Sequence, residues 1–188
     1  MEEKKETVGR ALHHGELPKG FREILPSALS LRVFDAVGRE GMLVTAERED
    51  GMPNPMTATW GGFGVLFGKP VVYSFIRPSR FTHGLILNRR RLTLSFFGDG
   101  GETALKVCGI RSGRDGDKLE AAGLSPFRLP AGGFSYLTAR LSVAATVIYM
   151  SPLCADAVSE SDRLRYYKNG DIHTVFVSRV DAVYLHEG

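Results

Sequence analysis

Cysteine is scarce. Cys108 and Cys154 are the only two in 188 residues, and they stand far apart, outside any CxxC spacing. That excludes a disulfide framework and a thiolate metal site, and two scattered thiols suit a reduced cytosolic protein. Clustered metal ligands are missing as well: His13 and His14 are adjacent but have no partner at ligand spacing. Long apolar runs are also lacking. The longest stretch, Leu141 to Ala155, is too short for a membrane span and is broken by Ser, Thr and Pro152. The first twenty residues, MEEKKETVGRALHHGELPKG, contain no apolar h-region and so do not read as a signal peptide. The expected location is the cytoplasm. Charge of one sign is hardly in excess, at +3 with a pI near 8.9, which is too little to argue for nucleic acid. No period of 20–50 residues repeats.

What is present suits one domain. Hydrophobic residues make up 43% of the chain, enough at this length to bury a core without staples. Residues 1–20 read as an amino-terminal arm, rich in Glu and Lys at its start, and no linker divides residues 21–188. The remainder reads mostly as strands, over 41–48, 56–60, 69–78, 91–97, 136–150 and 172–185. In RLTLSFF, Leu92, Leu94 and Phe96 alternate with Thr93 and Ser95. Short helices are expected between strands: one capped by Ser79 or Thr82 and running to Arg90, one in GETALKVCGI ended by Gly109, and one in RDGDKLEAAGL stopped by Gly123. Six strands with short inserted helices do not make the βαβ alternation of a parallel sheet. They predict a mainly β fold, an antiparallel barrel with helical decoration.

Two segments carry candidate chemistry. NPMTATWGGFGVLFGKP, Asn54 to Pro70, holds four glycines beside the single tryptophan, Trp60. It is not a dinucleotide turn, because Phe67 stands where GxGxxG needs its third glycine. It is not a P-loop either, because Gly64 and Gly68 are one residue too close and Pro70 replaces the hydroxyl. The glycines are expected to permit a bend and the close approach of a ligand or another subunit. RPSRFTHGLILNRRR, 77–91, holds five arginines and no acid. Arg77, Ser79, Arg80 and Thr82 gather where strand gives way to helix, which suits phosphate: guanidinium forks, hydroxyls and a helix N-terminus converge. The same pattern also fits a solvated basic helix start. Further on, Ser112, Arg114 and Lys118 are polar candidates, but by pattern alone they read as a surface helix with Asp115 at its cap and Lys118 on an exposed turn. His173, near the start of the last strand, is either structural or a contact for a second ligand. No nucleophile elbow is present.

The blocks MLVTA, NPMTATWGGFGVLFGKPV, FIRPSRFT and CGIRSGRDGDKLEAAGL, in this order and spacing, resemble the flavin reductase-like family of FMN-binding split barrels, and within it the flavoredoxin-like proteins. The resemblance covers residues 21 to 185. It implies a six-stranded antiparallel Greek-key split barrel that forms a homodimer, with FMN at the subunit interface. It implies that Asn54, Met56, Thr57, Ala58, Thr59 and Trp60 wrap the isoalloxazine. Arg77, Ser79, Arg80, Phe81 and Thr82 would hold the ribityl phosphate, and Ser112 and Lys118 would lie near the cofactor or its entrance. His173 is the candidate on the nicotinamide, or second-substrate, side. The last strand departs from the family's pattern, with Ser178 and Arg179 where Gly-Glu is common.

The implied function is an NAD(P)H-dependent FMN oxidoreductase that passes electrons to free flavin or a protein acceptor. The alternative is a flavoredoxin-type FMN electron carrier without NAD(P)H activity. A nucleic-acid module built on residues 77–91 is the remaining reading, and the small net charge and the absence of a nucleic-acid motif argue against it.

Overall fold

The computed structural model of the chain describes residues 16–187. Most of the expected arm, with His13 and His14, lies outside the described residues. Its end does not stand apart, because Leu17 packs with Phe21, Phe127 and Tyr184.

Ten strands occur among the described residues: β1 (Phe21–Ile24), β2 (Met42–Glu47), β3 (Pro53–Ala58), β4 (Gly61–Leu66), β5 (Lys69–Ile76), β6 (Arg91–Phe96), β7 (Pro126–Arg128), β8 (Phe134–Tyr136), β9 (Leu141–Pro152) and β10 (Thr174–His186). The helices are α1 (Phe81–Arg89), α2 (Glu102–Ile110) and α3 (Glu160–Tyr166), together with a π-helical stretch over Phe34–Glu40. The main sheet runs β3-β2-β6-β9-β10-β5-β4, with β1 paired to β10. All its pairings are antiparallel. Strand β10 pairs β9 along its length and shares its other edge between β5 and β1. Register shifts at Val177/Ser178 and Val180/Ala182 let it bend between the two. The two end strands of the path, β3 and β4, are consecutive in the chain and joined only by Thr59 and Trp60. Two residues cannot span an open sheet, so the sheet must curl until its edges meet at a seam. The expected mainly β, antiparallel barrel class is therefore observed, with more strands than six.

The core follows from alternation. Val44, Val72, Ile76, Leu94, Val143, Phe176 and Val183 come from five strands, point to one side and are at most 1% exposed. The opposite face of β2, with Leu43, is covered by α2, the turn after it and β8, through Cys108, Leu119 and Tyr136.

Four local expectations need correction. The glycine-rich stretch is not a bend but strand β4, paired with β5. Its glycines make room within the sheet: a Cβ on Gly61 would collide with the Tyr73 carbonyl oxygen, and one on Gly64 would lie 2.9 Å from the Tyr73 ring. The turn that follows places Phe67 and Gly68 both at positive φ, as a two-residue hairpin requires. Second, neither Ser79 nor Thr82 caps α1. Arg80 is the N-cap and makes no side-chain cap bond, because both hydroxyls are engaged elsewhere. Third, residues 112–123 are turns and not a helix. The Asp117 carboxylate accepts the Leu119 N–H at 2.9 Å, a local bond that competes with helix formation. Fourth, the strand expected over 136–150 begins only at Leu141, as β9, and Tyr136 instead ends β8.

Candidate functional site

Two adjoining cavities open at the seam. The first, about 270 Å³, is lined by Met56, Thr57, Ala58, Thr59 and Trp60 at the end of β3, with Phe75, Arg77, Arg80 and His173. The second, about 210 Å³, is lined by Asn54, Met56, Ser79, Arg80, Phe81, Thr82, Ser112, Gly113 and Lys118, with Ile110, Arg111 and Arg114 at the end of α2 and beyond. Met56 and Arg80 belong to both. Every site residue expected from the sequence thus lines one cavity or the other. Phe75, Ile110, Arg111 and Gly113 were not among them. Phe75 was findable: Val72, Ser74 and Ile76 are its buried neighbours on β5, so period-2 alternation turns Phe75 the other way.

The first cavity is lined by one strand end and by aromatic rings. On one side runs β3, an edge strand whose outer N–H and C=O groups have no strand partner among the described residues. The Thr57 hydroxyl is turned away, donating to the Leu105 carbonyl, and so fixes α2 against β3. The His173 ring lies 4.6 Å from the Trp60 ring, and Tyr166 meets Trp60 edge-on at 5.0 Å. His173 is buried, with Nδ1 2.9 Å from the Tyr167 hydroxyl. A phenol is the better donor and an imidazole nitrogen the better acceptor, which assigns the ring proton to Nε2. Burial, aided by the Arg77 cation and opposed by Asp171, lowers the His173 pKa to about 4, so the ring is neutral at physiological pH.

The second cavity is cationic. Arg80, Arg111, Arg114 and Lys118 line it, and among the described residues no carboxylate does. Lys118 corrects the surface reading most sharply. It is 4% exposed and donates to the Arg111 carbonyl at 3.1 Å, its one hydrogen-bond partner among the described residues. Burial pulls its pKa below the ordinary lysine value. A buried ammonium without a counter-charge is costly and calls for an anion. The Arg80 guanidinium donates to the Gly109 and Cys108 carbonyls at 3.0 and 3.1 Å, which satisfies the C-terminal end of α2. Two of its five N–H groups are used there, and the others remain for the cavity. The N-terminus of α1 opens on the same space through Phe81 and Thr82, with no acid in its first turn. Asn54 donates to the Thr82 hydroxyl at 2.7 Å, holding β3 to α1. Gly113 is required beside it, since a Cβ there would strike the Asn54 side chain. The Cys108 thiol, pushed up to about 11 by burial, is no nucleophile.

Arg77 and Ser79 are positioned differently from what the sequence suggested. Arg77 lines the first cavity only. Its guanidinium donates to the carbonyls of Asp171 and Tyr166 at 2.7 and 3.0 Å. The Ser79 hydroxyl donates to the Asp171 carboxylate at 2.6 Å.

Comparison with known proteins gives these findings. The model of the flavin reductase like domain matches residues 34–188. An FMN-binding protein from Thermus thermophilus, solved with bound 1-cyclohex-2-enone, is 26% identical, with a TM-score of 0.63 over 94% of this chain and 80% of that one. The flavoredoxin of Desulfovibrio vulgaris (Miyazaki F) is 19% identical, with a TM-score of 0.63 over 87% of this chain and 78% of that one. The styrene monooxygenase flavin reductase of Pseudomonas putida S12 is 19% identical, with a TM-score of 0.53 over 77% of each chain. The last two likenesses speak to the fold alone. No curated protein matches the chain. Among the described residues, no helix is long and apolar enough to cross a membrane.

Proposed function

The chain belongs to the flavin reductase-like domain family, and from that premise we propose that it is an FMN-dependent oxidoreductase working between NAD(P)H and free flavin or a protein acceptor. The observation that carries this reading is the buried, uncompensated Lys118 ammonium in a cationic cavity that adjoins one lined by Trp60, Phe75 and His173. That donor set fits FMN. Lys118, Arg80, the Ser112 hydroxyl and the first-turn N–H groups of α1 would hold its phosphate. The edge of β3, Trp60 and Phe75 would flank its ring. When bound, FMN supplies the electron-transfer chemistry, and the protein supplies binding, orientation and field. The neutral His173 offers Nε2–H to an incoming substrate as a hydrogen-bond donor and does not itself exchange a proton near pH 7. The relative from Thermus thermophilus is an FMN-binding protein at 26% identity, which supports the cofactor.

We place the activity in residues 21–188, in a cytoplasmic homodimer whose second copy completes the ring cavity. The test is the visible spectrum of the pure protein with FMN, followed by anaerobic addition of NADH or NADPH. Yellow protein bleached by either nucleotide is expected. A protein that takes up no FMN overturns the cofactor assignment. A flavin reduced by dithionite but by neither nucleotide makes the protein an electron carrier instead.

A further inference from the structure

We propose that Arg77, Ser79 and Asp171 form a latch that pins residues 166–173, the segment that sets His173 in the wall of the ring cavity, making Arg77 a positioning residue for the second substrate and not a phosphate ligand. The inference rests on the proposed flavin site, but the latch itself is a property of this chain. Segment 166–173 links α3 to β10; its His173 lines the cavity, Tyr167 and Tyr166 contact His173 and Trp60 behind that wall, and Asp171 meets Ser79. Backbone bonds hold its two ends, Tyr167 N–H to the Arg163 carbonyl and Leu153 N–H to the His173 carbonyl, but between them Gly170 turns it at φ +72° and only short turn bonds close within it. Its side-chain attachment comes from the 77–79 corner, about ninety residues back in the chain.

The contacts are specific. One Arg77 nitrogen donates to the Asp171 carbonyl and another to that of Tyr166, so the guanidinium ties down both ends of the loop. The same group lies 5.5 Å from the centre of the Tyr167 ring. The Asp171 carboxylate accepts from both the hydroxyl and the N–H of Ser79, at 2.6 and 3.3 Å. With the loop held, Tyr167 orients His173, and His173 and Tyr166 close on Trp60.

This arrangement argues against a phosphate at Arg77. A carboxylate already occupies the Ser79 hydroxyl and stands 4.0 Å from the Arg77 guanidinium. A dianion brought to the same spot would meet like charge. The cations left for phosphate are those of the neighbouring cavity, which Arg77 does not line. The latch therefore governs the wall past which a nicotinamide or an acceptor must come.

Trp60 is the chain's single tryptophan and touches the latched segment, so its emission reports the latch with or without flavin. The test compares wild type, Arg77→Gln and Asp171→Asn by acrylamide quenching of Trp60 and by tryptic cleavage after the exposed Lys168. Loss of a charged hydrogen bond should raise cleavage about tenfold, with Trp60 emission shifted to the red. The KM for the nicotinamide nucleotide should rise about tenfold while the FMN dissociation constant changes less than about threefold. Asp171→Asn keeps the side chain's shape and serves should Arg77→Gln fail to fold. Unchanged quenching and cleavage in both variants overturn the latch, whatever FMN does. A tenfold or larger loss of FMN affinity in Arg77→Gln, with Trp60 unmoved, returns Arg77 to the phosphate. If wild type binds no FMN, the flavin reading fails, and the fluorescence and proteolysis still decide the latch.

Discussion

At Lys118, stability and binding pull in opposite directions. The free chain bears the desolvation of an ammonium that is 4% exposed and bonded to one carbonyl. Lys118→Met keeps the stem's packing and removes the charge. It should leave the melting temperature of the FMN-free protein unchanged or higher. In a flavin fluorescence titration it should weaken FMN binding by about 1.5–3 kcal/mol, the range for hydrogen bonds to charged groups. Arg80→Ala should differ. It strips the Cys108 and Gly109 carbonyls of their donor as well, so it should lower both affinity and the melting temperature, the latter by about 1 kcal/mol of stability. His173 gives a pH signature. Its folded pKa, about 4, lies below the ordinary histidine value near 6.5. Between those values the unfolded chain takes up a proton that the folded chain refuses. Stability from this group is therefore whole above pH 6.5 and declines as pH falls toward 4. Burial shifts His83 in the same direction and adds to the slope. Melting temperatures measured from pH 7 to 4 should fall less steeply in His173→Gln than in wild type.

Among the elements, β4 shows how a local rule can be read correctly and applied to the wrong neighbour. Glycine does mark close approach there, but what approaches is Tyr73 on β5. Gly61→Ala should cost about 1–3 kcal/mol in urea unfolding, as overpacking does, since its Cβ would meet the Tyr73 carbonyl and lie 2.9 Å from the Met42 Cε. Gly62→Ala, with nothing within 4 Å of the added carbon, should stay within about 0.5 kcal/mol of wild type. The strands that were legible in the sequence were those with long β-branched or alternating runs, such as β6 and β10, where one face meets the core. Strands β1, β7 and β8 span three or four residues each, too few for a period to show. The residues after α2 carry helix formers, yet the Asp117 side chain diverts the backbone into turns. The cavity linings were legible because two short blocks supply most of them. The burial of Lys118 was not, because its neighbours Arg111, Cys108 and Arg80 come from the end of α2 and the start of α1 through tertiary packing. Nor were the partners of Arg77 and Ser79, which arrive from residues 166–171 through tertiary packing.

For the whole molecule, the distribution of apolar surface argues for a second copy. Phe34 is 95% exposed, and Val65 and Phe67 are 71% and 72% exposed. Phe34 also lines a groove of about 530 Å³ with Val33, Val37 and Phe63, and Val65 follows Phe63 on the same face of β4. Contiguous apolar surface of this kind marks an interaction site. Thr59 and Trp60 belong both to this groove and to the ring cavity, so whatever covers the groove also reaches the flavin site. A symmetric partner would bury the same patch on both chains. At about 1.5–3 kcal/mol for each large apolar side chain buried, Phe34→Asp with Val65→Asp should remove enough contact to convert a micromolar solution from dimer to monomer by sedimentation velocity. Because the groove and the cavity share a wall, the same double variant should also lose FMN affinity. Lys118→Met, which sits away from the patch, should lose affinity and remain dimeric. A wild-type chain that sediments as a monomer, with or without FMN, would leave the groove to some other partner and separate the flavin site from any subunit contact.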